Sequence, residues 1–160
     1  MGQADALKCE LAGEVLRSFG SLRFKATGWS MLPSVLPGDT LLVERVSPDQ
    51  VRVGEVVLVG RDGRLRAHRV ASVAEDAGNL RWITQGDANP APDQPVSRDE
   101  LLGRVAYLIR AGKPIPVLAE LSLADQLIAK IVRRSKTAAR ALVYLHGVVE
   151  TPKESLSCQG

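Results

Sequence analysis

The chain has 160 residues, 45% apolar and 24% charged, a composition that fits one folded domain with its own core and argues against disorder. The longest uncharged run, Ala26 to Gly38, contains Pro33 and Pro37, so no segment reads as a membrane-spanning helix, and the opening MGQADALKCE lacks the apolar stretch of an export signal. The net charge of +3 divides unevenly: residues 1–103 hold 12 Lys/Arg against 14 Asp/Glu, net −2, and residues 104–145 hold eight basic residues against Glu120 and Asp125, net +6. Such a basic segment reads first as a solvated helix face, and it also suits an anionic lipid surface, a nucleic acid or an acidic partner. Cys9 and Cys158 lie near opposite ends and form no disulfide framework, and with His68 and His146 as the only histidines a structural zinc site is not expected. The expectation is a soluble, cytoplasmic protein.

In chain order, Ala4, Leu7, Leu11, Val15 and Leu16 recur at three- and four-residue steps, which predicts an amphipathic helix within residues 1–20 that ends at Gly20. SLRFKAT alternates as a strand does. Gly38-Asp39 then leads into TLLVERV, Gly54-Glu55 into VVLVG, and Asp62-Gly63 into RLRAHRVASV, the last pair being a hairpin signal. NLRWIT and LLGRVAYLI are further strands, and QGDANPAPDQP between them is a loop by its Gly, Asn, Asp and Pro content. Residues 21–112 therefore form a β-rich unit. Residues 113–150 are a basic helical segment, with Leu, Ala and Ile at helical spacing over 118–145 as one long helix or two shorter ones. Residues 151–160 form a polar, flexible tail. The fold class is mainly β with flanking N- and C-terminal helices, α+β overall.

A serine nucleophile needs a sharply defined backbone, an exposed Oγ and an amide N–H nearby for the oxyanion. Thr27-Gly28-Trp29-Ser30-Met31-Leu32-Pro33 has that composition: Gly28 permits a tight conformation before Ser30, and Pro33 stiffens the chain after it. By itself this is an ordinary loop sequence. GWSMLPSVLPGDTLLVER resembles the signature of the signal peptidase I/LexA superfamily of serine proteases, with a Ser-Met pair before a proline and a Gly-Asp turn before a strand. Three further blocks match in order: Ala67-His68-Arg69-Val70, Thr84-Gln85-Gly86-Asp87-Ala88-Asn89 and Leu102-Gly103-Arg104-Val105. Together they look like the branch that contains the endoplasmic-reticulum, archaeal and SipW-like signal peptidases, over roughly residues 26–108.

The superfamily divides by its general base. The lysines here are at positions 8, 25, 113, 130, 136 and 153, so none lies between Ser30 and the end of the matched blocks. His68 is the only histidine within them, and imidazole is the side chain best suited to take a hydroxyl proton near neutral pH. On a strand His68 shares its face with Val70. A histidine base needs an acceptor on its other nitrogen. Asp87 and Asp93, six residues apart, are the two loop carboxylates, and either suits that role chemically. The resemblance implies Asp93 as the partner of His68, because the His-dependent branch carries Gly-Asp-Asn-Asn and then a second aspartate at this spacing. Asp87 is then expected to tie the loop together by accepting backbone N–H bonds.

Three features depart from that family. Gly28 stands where many signal peptidases carry a serine or threonine that donates to the oxyanion, which leaves the Ser30 N–H as the one donor in view. Trp29 replaces a small residue, and is expected either to narrow the substrate cleft, beside Met31, or to cap the core. The membrane anchor has no counterpart, which points to a cytosolic protein or peptide substrate, or to a precursor reached from the membrane surface. The flanking helices are expected to cover open sheet edges or make a homodimer in preference to lying on an anionic membrane.

The resemblance implies an endopeptidase that uses Ser30, His68 and Asp93, favours small residues before the cut and needs no metal or organic cofactor. The competing reading is a non-catalytic peptide- or protein-binding module on the same scaffold. A self-cleaving regulator of the LexA kind lacks its lysine, and the residues before the β unit are too few for a helix-turn-helix domain, so nucleic acid is not an expected partner.

Overall fold

Val56, Val57, Leu58 and Val59 are consecutive and all buried, so the strand that carries them has protein on both faces and lies inside the sheet. In the computed structural model, which describes residues 3–76 and 78–149, this is β3 (Val56–Arg61). The other strands are β1 (Ser21–Lys25), β2 (Thr40–Glu44), β4 (Arg64–Asp76), β5 (Asn79–Gln85), β6 (Leu101–Arg110) and β7 (Lys113–Pro116). All pairings are antiparallel, in the order β1-β2-β6-β3-β4-β5, with β7 on β6 beyond β3. The helices are α1 (Gln3–Phe19), α2 (Leu123–Arg134) and α3 (Lys136–Val149). The fold is thus mainly β with flanking helices, α+β overall. The tail expected over 151–160 lies outside the described residues.

The alternation along β3 feeds two cores. Val56 and Leu58 join Leu41, Val43, Val105 and Leu108 on one face, whereas Val57 and Val59 join Val51, Val70, Trp82 and Val96 on the other. The turn between β3 and β4 is Asp62-Gly63, both residues at positive φ (52° and 70°), as the hairpin signal predicts. A second such turn, Ala111-Gly112 (φ 47° and 76°), carries the chain from β6 into β7, so the sheet runs on to Pro116, past the boundary expected at 112.

The helix in α1 forms where the periodicity predicts it, with Gly20 N–H donating to the Leu16 carbonyl at its end (3.1 Å). Its buried face differs from the expected stripe. Ala12, Gly13 and Leu16 face the sheet, while Leu7 and Leu11 are 63% and 60% exposed. The helix meets β3 at Gly60, where an added Cβ would lie 3.8 Å from the Cys9 Cβ, and Gly13 faces Leu102 of β6.

The C-terminal segment is two helices. Ser135 (φ −138°, ψ 112°) ends α2, and its Oγ accepts from the Ala138 N–H to cap α3 (3.2 Å). Both helices pack on the loop after β1: Val132 of α2 and Ala139 of α3 bury themselves against Leu32 and Leu36. Among the described residues no helix is long and apolar enough to cross a membrane.

Candidate active site

Ser30 lies on the loop between β1 and β2, whose neck is closed by two backbone bonds, Ala26 N–H to the Asp39 carbonyl and Gly38 N–H to the Ala26 carbonyl (2.8 Å each). Asp39 is buried and locks the neck further. Its carboxylate accepts from the Leu36 N–H (2.8 Å) and from the Arg110 guanidinium of β6 (2.7 and 2.9 Å). Met31, Val35 and Leu32 anchor the loop in the cores. A loop held this way keeps Ser30 in one place and has little conformational freedom left to lose on binding.

β4 brings His68 to the same point. Its ring is only 5% exposed, with Nε2 2.9 Å from Ser30 Oγ and Nδ1 2.6 Å from Asp93 Oδ2. Asp93 comes from the β5–β6 loop and is fixed twice from β5: its N–H donates to the Thr84 carbonyl, and its Oδ2 accepts from Thr84 Oγ1 (2.7 Å each). Three residues from three loops or strands thus form one hydrogen-bonded chain, Ser30–His68–Asp93. The hydroxyl can pass a proton to an imidazole whose other nitrogen faces a carboxylate.

Asp87 does not touch His68. Its buried carboxylate pairs with the Arg69 guanidinium (Nε–Oδ1 2.8 Å, Nη2–Oδ2 2.9 Å) and accepts from Ser34 Oγ. These partners are side chains, where backbone amides were expected. The physical reason is Arg69, next to the histidine on β4, which brings a cation into the interior that needs a carboxylate. Arg69 Nη1 also donates to the carbonyls of Gly54 (2.7 Å) and Leu118 (2.6 Å), so one guanidinium joins the serine loop, the loop after β5 and the segment before α2. Sequence reasoning passed over Arg69, Thr84 and Ser34, although Arg69 adjoins the histidine in a quoted block.

A cleft of about 470 Å³ opens beside Ser30. It is lined by Phe24 and Ala26 to Gly28, by Leu65 to Ala67, and by Met31, Val35, Leu41 and Asn89, together with Ser30, His68 and Asp93. Part of this lining is strand edge: among the described residues β1, which ends at Lys25, pairs with β2 alone, and Arg64–Ala67 pair with β3 alone because β5 ends opposite Arg69. Gly28 lines this cleft with backbone outside the left-handed region, and a Cβ there would meet nothing within 4 Å, so the tight conformation expected of it is absent. Trp29 is neither in the cleft nor in a core. It is 40% exposed and faces a second pocket on the other flank of Ser30.

Among the described residues the Ser30 N–H has no acceptor, which leaves it available to a developing oxyanion. Asn89, another residue that sequence reasoning did not single out, borders both the cleft and the second pocket.

A sequence profile of the Peptidase S24-like family matches residues 8–106, well over half of the chain. The chain is also similar to the protein named signal peptidase complex catalytic subunit SEC11C in Homo sapiens, Mus musculus and Canis lupus familiaris, each 34% identical over 73 residues, or 44% of this chain and 38% of the relative. It therefore spans well under half the length of these curated relatives. Both findings agree with the ordered blocks around Ser30, His68 and Asp87-Ala88-Asn89: the chain belongs to the Peptidase S24-like family.

Proposed function

We propose that this chain is a serine endopeptidase of signal-peptidase type that cleaves a protein or peptide precursor. The observation that carries the reading is the continuous chain from Ser30 Oγ through His68 to Asp93, at 2.9 and 2.6 Å, at the end of an open cleft. Ser30 Oγ attacks the scissile carbonyl carbon while His68 Nε2 takes its proton, and the Ser30 N–H donates to the oxygen that becomes negative. His68 then gives the proton to the departing amine as the C–N bond breaks, leaving an ester on Ser30. Water attacks the ester, His68 again takes and returns a proton, and the carboxylate product leaves. Asp93 fixes the tautomer and stabilises the imidazolium. A positioned base of this kind contributes about 10²–10⁴ in rate.

The residues before the cut lie in the cleft, extended along the edge of β4 at 64–67 and beside the segment that continues from β1 through 26–28, where a bound segment gains main-chain hydrogen bonds. The apolar floor and the match to signal peptidases support small uncharged residues there. Asp87 serves structure rather than chemistry in this reading, since Arg69 and Ser34 occupy its oxygens. The proposal also includes a cytosolic place of work, checked by fractionating cells for the chain.

The test is a digest of a diverse peptide mixture by wild type and by Ser30→Ala, read by mass spectrometry. Cuts that occur only with wild type, preceded by small residues, are expected. A cut pattern shared by both proteins would remove Ser30 from the chemistry, and uncut peptides bound equally by both would favour the non-catalytic binding module.

A further inference from the structure

The second pocket, about 530 Å³, lies between the serine loop and the α2–α3 pair, and nothing in the peptidase reading uses it. Trp29, Ser30 and Asn89 form one side, and Arg133 and Arg140 the other. It shares Ser30 and Asn89 with the cleft, so a chain lying across the nucleophile enters the cleft at one end and this pocket at the other. With the residues before the cut in the cleft, the residues after it pass into the pocket.

Among the described residues no carboxylate pairs with the guanidinium groups there. α2 carries Asp125, Lys130, Arg133 and Arg134, and α3 carries no acidic residue. Asp125 is engaged with Ser122 at the far end of α2. Arg133 gives Nε to the Asp87 carbonyl (2.9 Å), which fixes its position, and among the described residues its terminal nitrogens have no acceptor. Arg140 has neither a hydrogen bond nor an ion pair among the described residues. The Asp87 carboxylate does not neutralise them, since Arg69 and Ser34 hold it. Val132 and Ala139 give the pocket an apolar floor that lowers the local dielectric and strengthens any charge pair formed over it.

We propose that this pocket is a carboxylate-binding subsite, in which Arg133 and Arg140 select substrates with an acidic side chain within the first three residues after the scissile bond. The proposal rests on the peptidase reading for the direction of the substrate. It gives the basic C-terminal helices a role: they supply specificity on the leaving-group side, while Val132 and Ala139 hold the arginines over the loop that carries Ser30.

The test uses labelled decapeptides with Ala-Val-Ala before the intended cut and Glu, Gln or Lys placed in turn at each of the three positions after it. Affinity is read by fluorescence anisotropy with Ser30→Ala, which binds without turnover, and cleavage with wild type. A Glu peptide is expected to bind about tenfold tighter than its Gln counterpart at one position, the effect of a single charge-assisted hydrogen bond, and the difference should shrink with added salt. Arg140→Glu in the Ser30→Ala background should reverse the order so that Lys exceeds Glu. That gain also shows that the variant is folded. Equal affinity for Glu, Gln and Lys at all three positions, or an order unchanged by Arg140→Glu, overturns the subsite. Cleavage without charge preference overturns the subsite and leaves the peptidase standing. A charge preference without cleavage keeps a carboxylate-binding pocket and overturns the peptidase reading and, with it, the subsite's role in selecting a cut.

Discussion

Gly86 lies directly on Ser30: a Cβ at residue 86 would fall 2.5 Å from the Ser30 carbonyl oxygen and 2.9 Å from the Ser30 Cβ. The same carbonyl accepts from the Ala88 N–H at 2.8 Å, so the loop after β5 sets the position of Ser30 by direct backbone contact. Gly86→Ala must push the two loops apart. Displacement of a catalytic group by about 1 Å costs about 10²-fold in rate. The expected outcome is a fall of that size in kcat/KM with little change in secondary structure by circular dichroism.

Asp93 and Asp87 should separate cleanly when each is altered. Asp93→Asn keeps the shape of the residue and its backbone bond to Thr84, so the melting temperature should stay near wild type while kcat falls by several orders of magnitude, as it does when a histidine base loses its carboxylate. Asp87→Ala strands the buried Arg69, a loss of about 3–5 kcal/mol by analogy with other broken buried pairs. Its signature is a lower denaturant midpoint. Melting curves and rates measured on both variants check the division.

Gly28 offers a gain-of-function test. The space beside it is open and its backbone suits an L-residue, so Gly28→Ser should fold as wild type does and add a hydroxyl donor near the oxyanion. A fully engaged donor contributes about 10²–10³ in kcat. A rise in kcat with KM unchanged is expected. A fall would show that residue 28 faces the substrate chain instead.

Acid should loosen the far end of the loop that carries Asp93. There Arg61 donates to Glu100 (Nη2–Oε2 2.7 Å) and to the carbonyls of Gln94 and Pro95. The Arg61 hydrogen bond, joined by the N–H and Oγ of Ser97, pulls the Glu100 carboxyl from its ordinary 4.5 down to about 2. A carboxyl with a lowered folded-state pKa stabilises the fold fully above its unfolded value, and that stability drains away as pH falls toward the folded value. Glu100→Gln should therefore melt below wild type above pH 4.5, and the gap should close as pH falls from 4.5 to 2. Melting scans across that range read it directly.

The parts of this fold that were legible in the sequence are those with local causes. Asp62-Gly63 is a turn because both residues accept positive φ, and the VVLVG run is a strand because its residues are buried on both faces. Ala111-Gly112 makes the same kind of turn without the same signal, since alanine is unfavourable at positive φ, and Pro114 and Pro116 hide β7, which pairs only with β6. The buried face of α1 was not legible because Leu7 and Leu11 outrank Ala12 and Gly13 in hydropathy, whereas Ala12 and Gly13 are the residues buried against the sheet.

At the site, Ser30, His68 and Asp87-Ala88-Asn89 stand in recognisable blocks, and Asp93 is reached only through the family resemblance, since Asp87 suits the role equally on chemistry alone. The placement of Arg69, Arg133 and Arg140 beside the loop that carries Ser30 was not legible, because an arginine in a charged run reads as solvated until tertiary structure shows what its guanidinium faces.

The most direct test of the central claim is kcat/KM for His68→Ala on the best-cut peptide, beside Ser30→Ala and the double variant. Residues that act as one unit lose activity non-additively. Each single variant should fall by about 10³-fold or more, and the double variant no further than the worse of the two. Wild-type activity in His68→Ala, or a double-variant loss equal to the product of the two single losses, would contradict a catalytic chain running from Ser30 through His68 to Asp93.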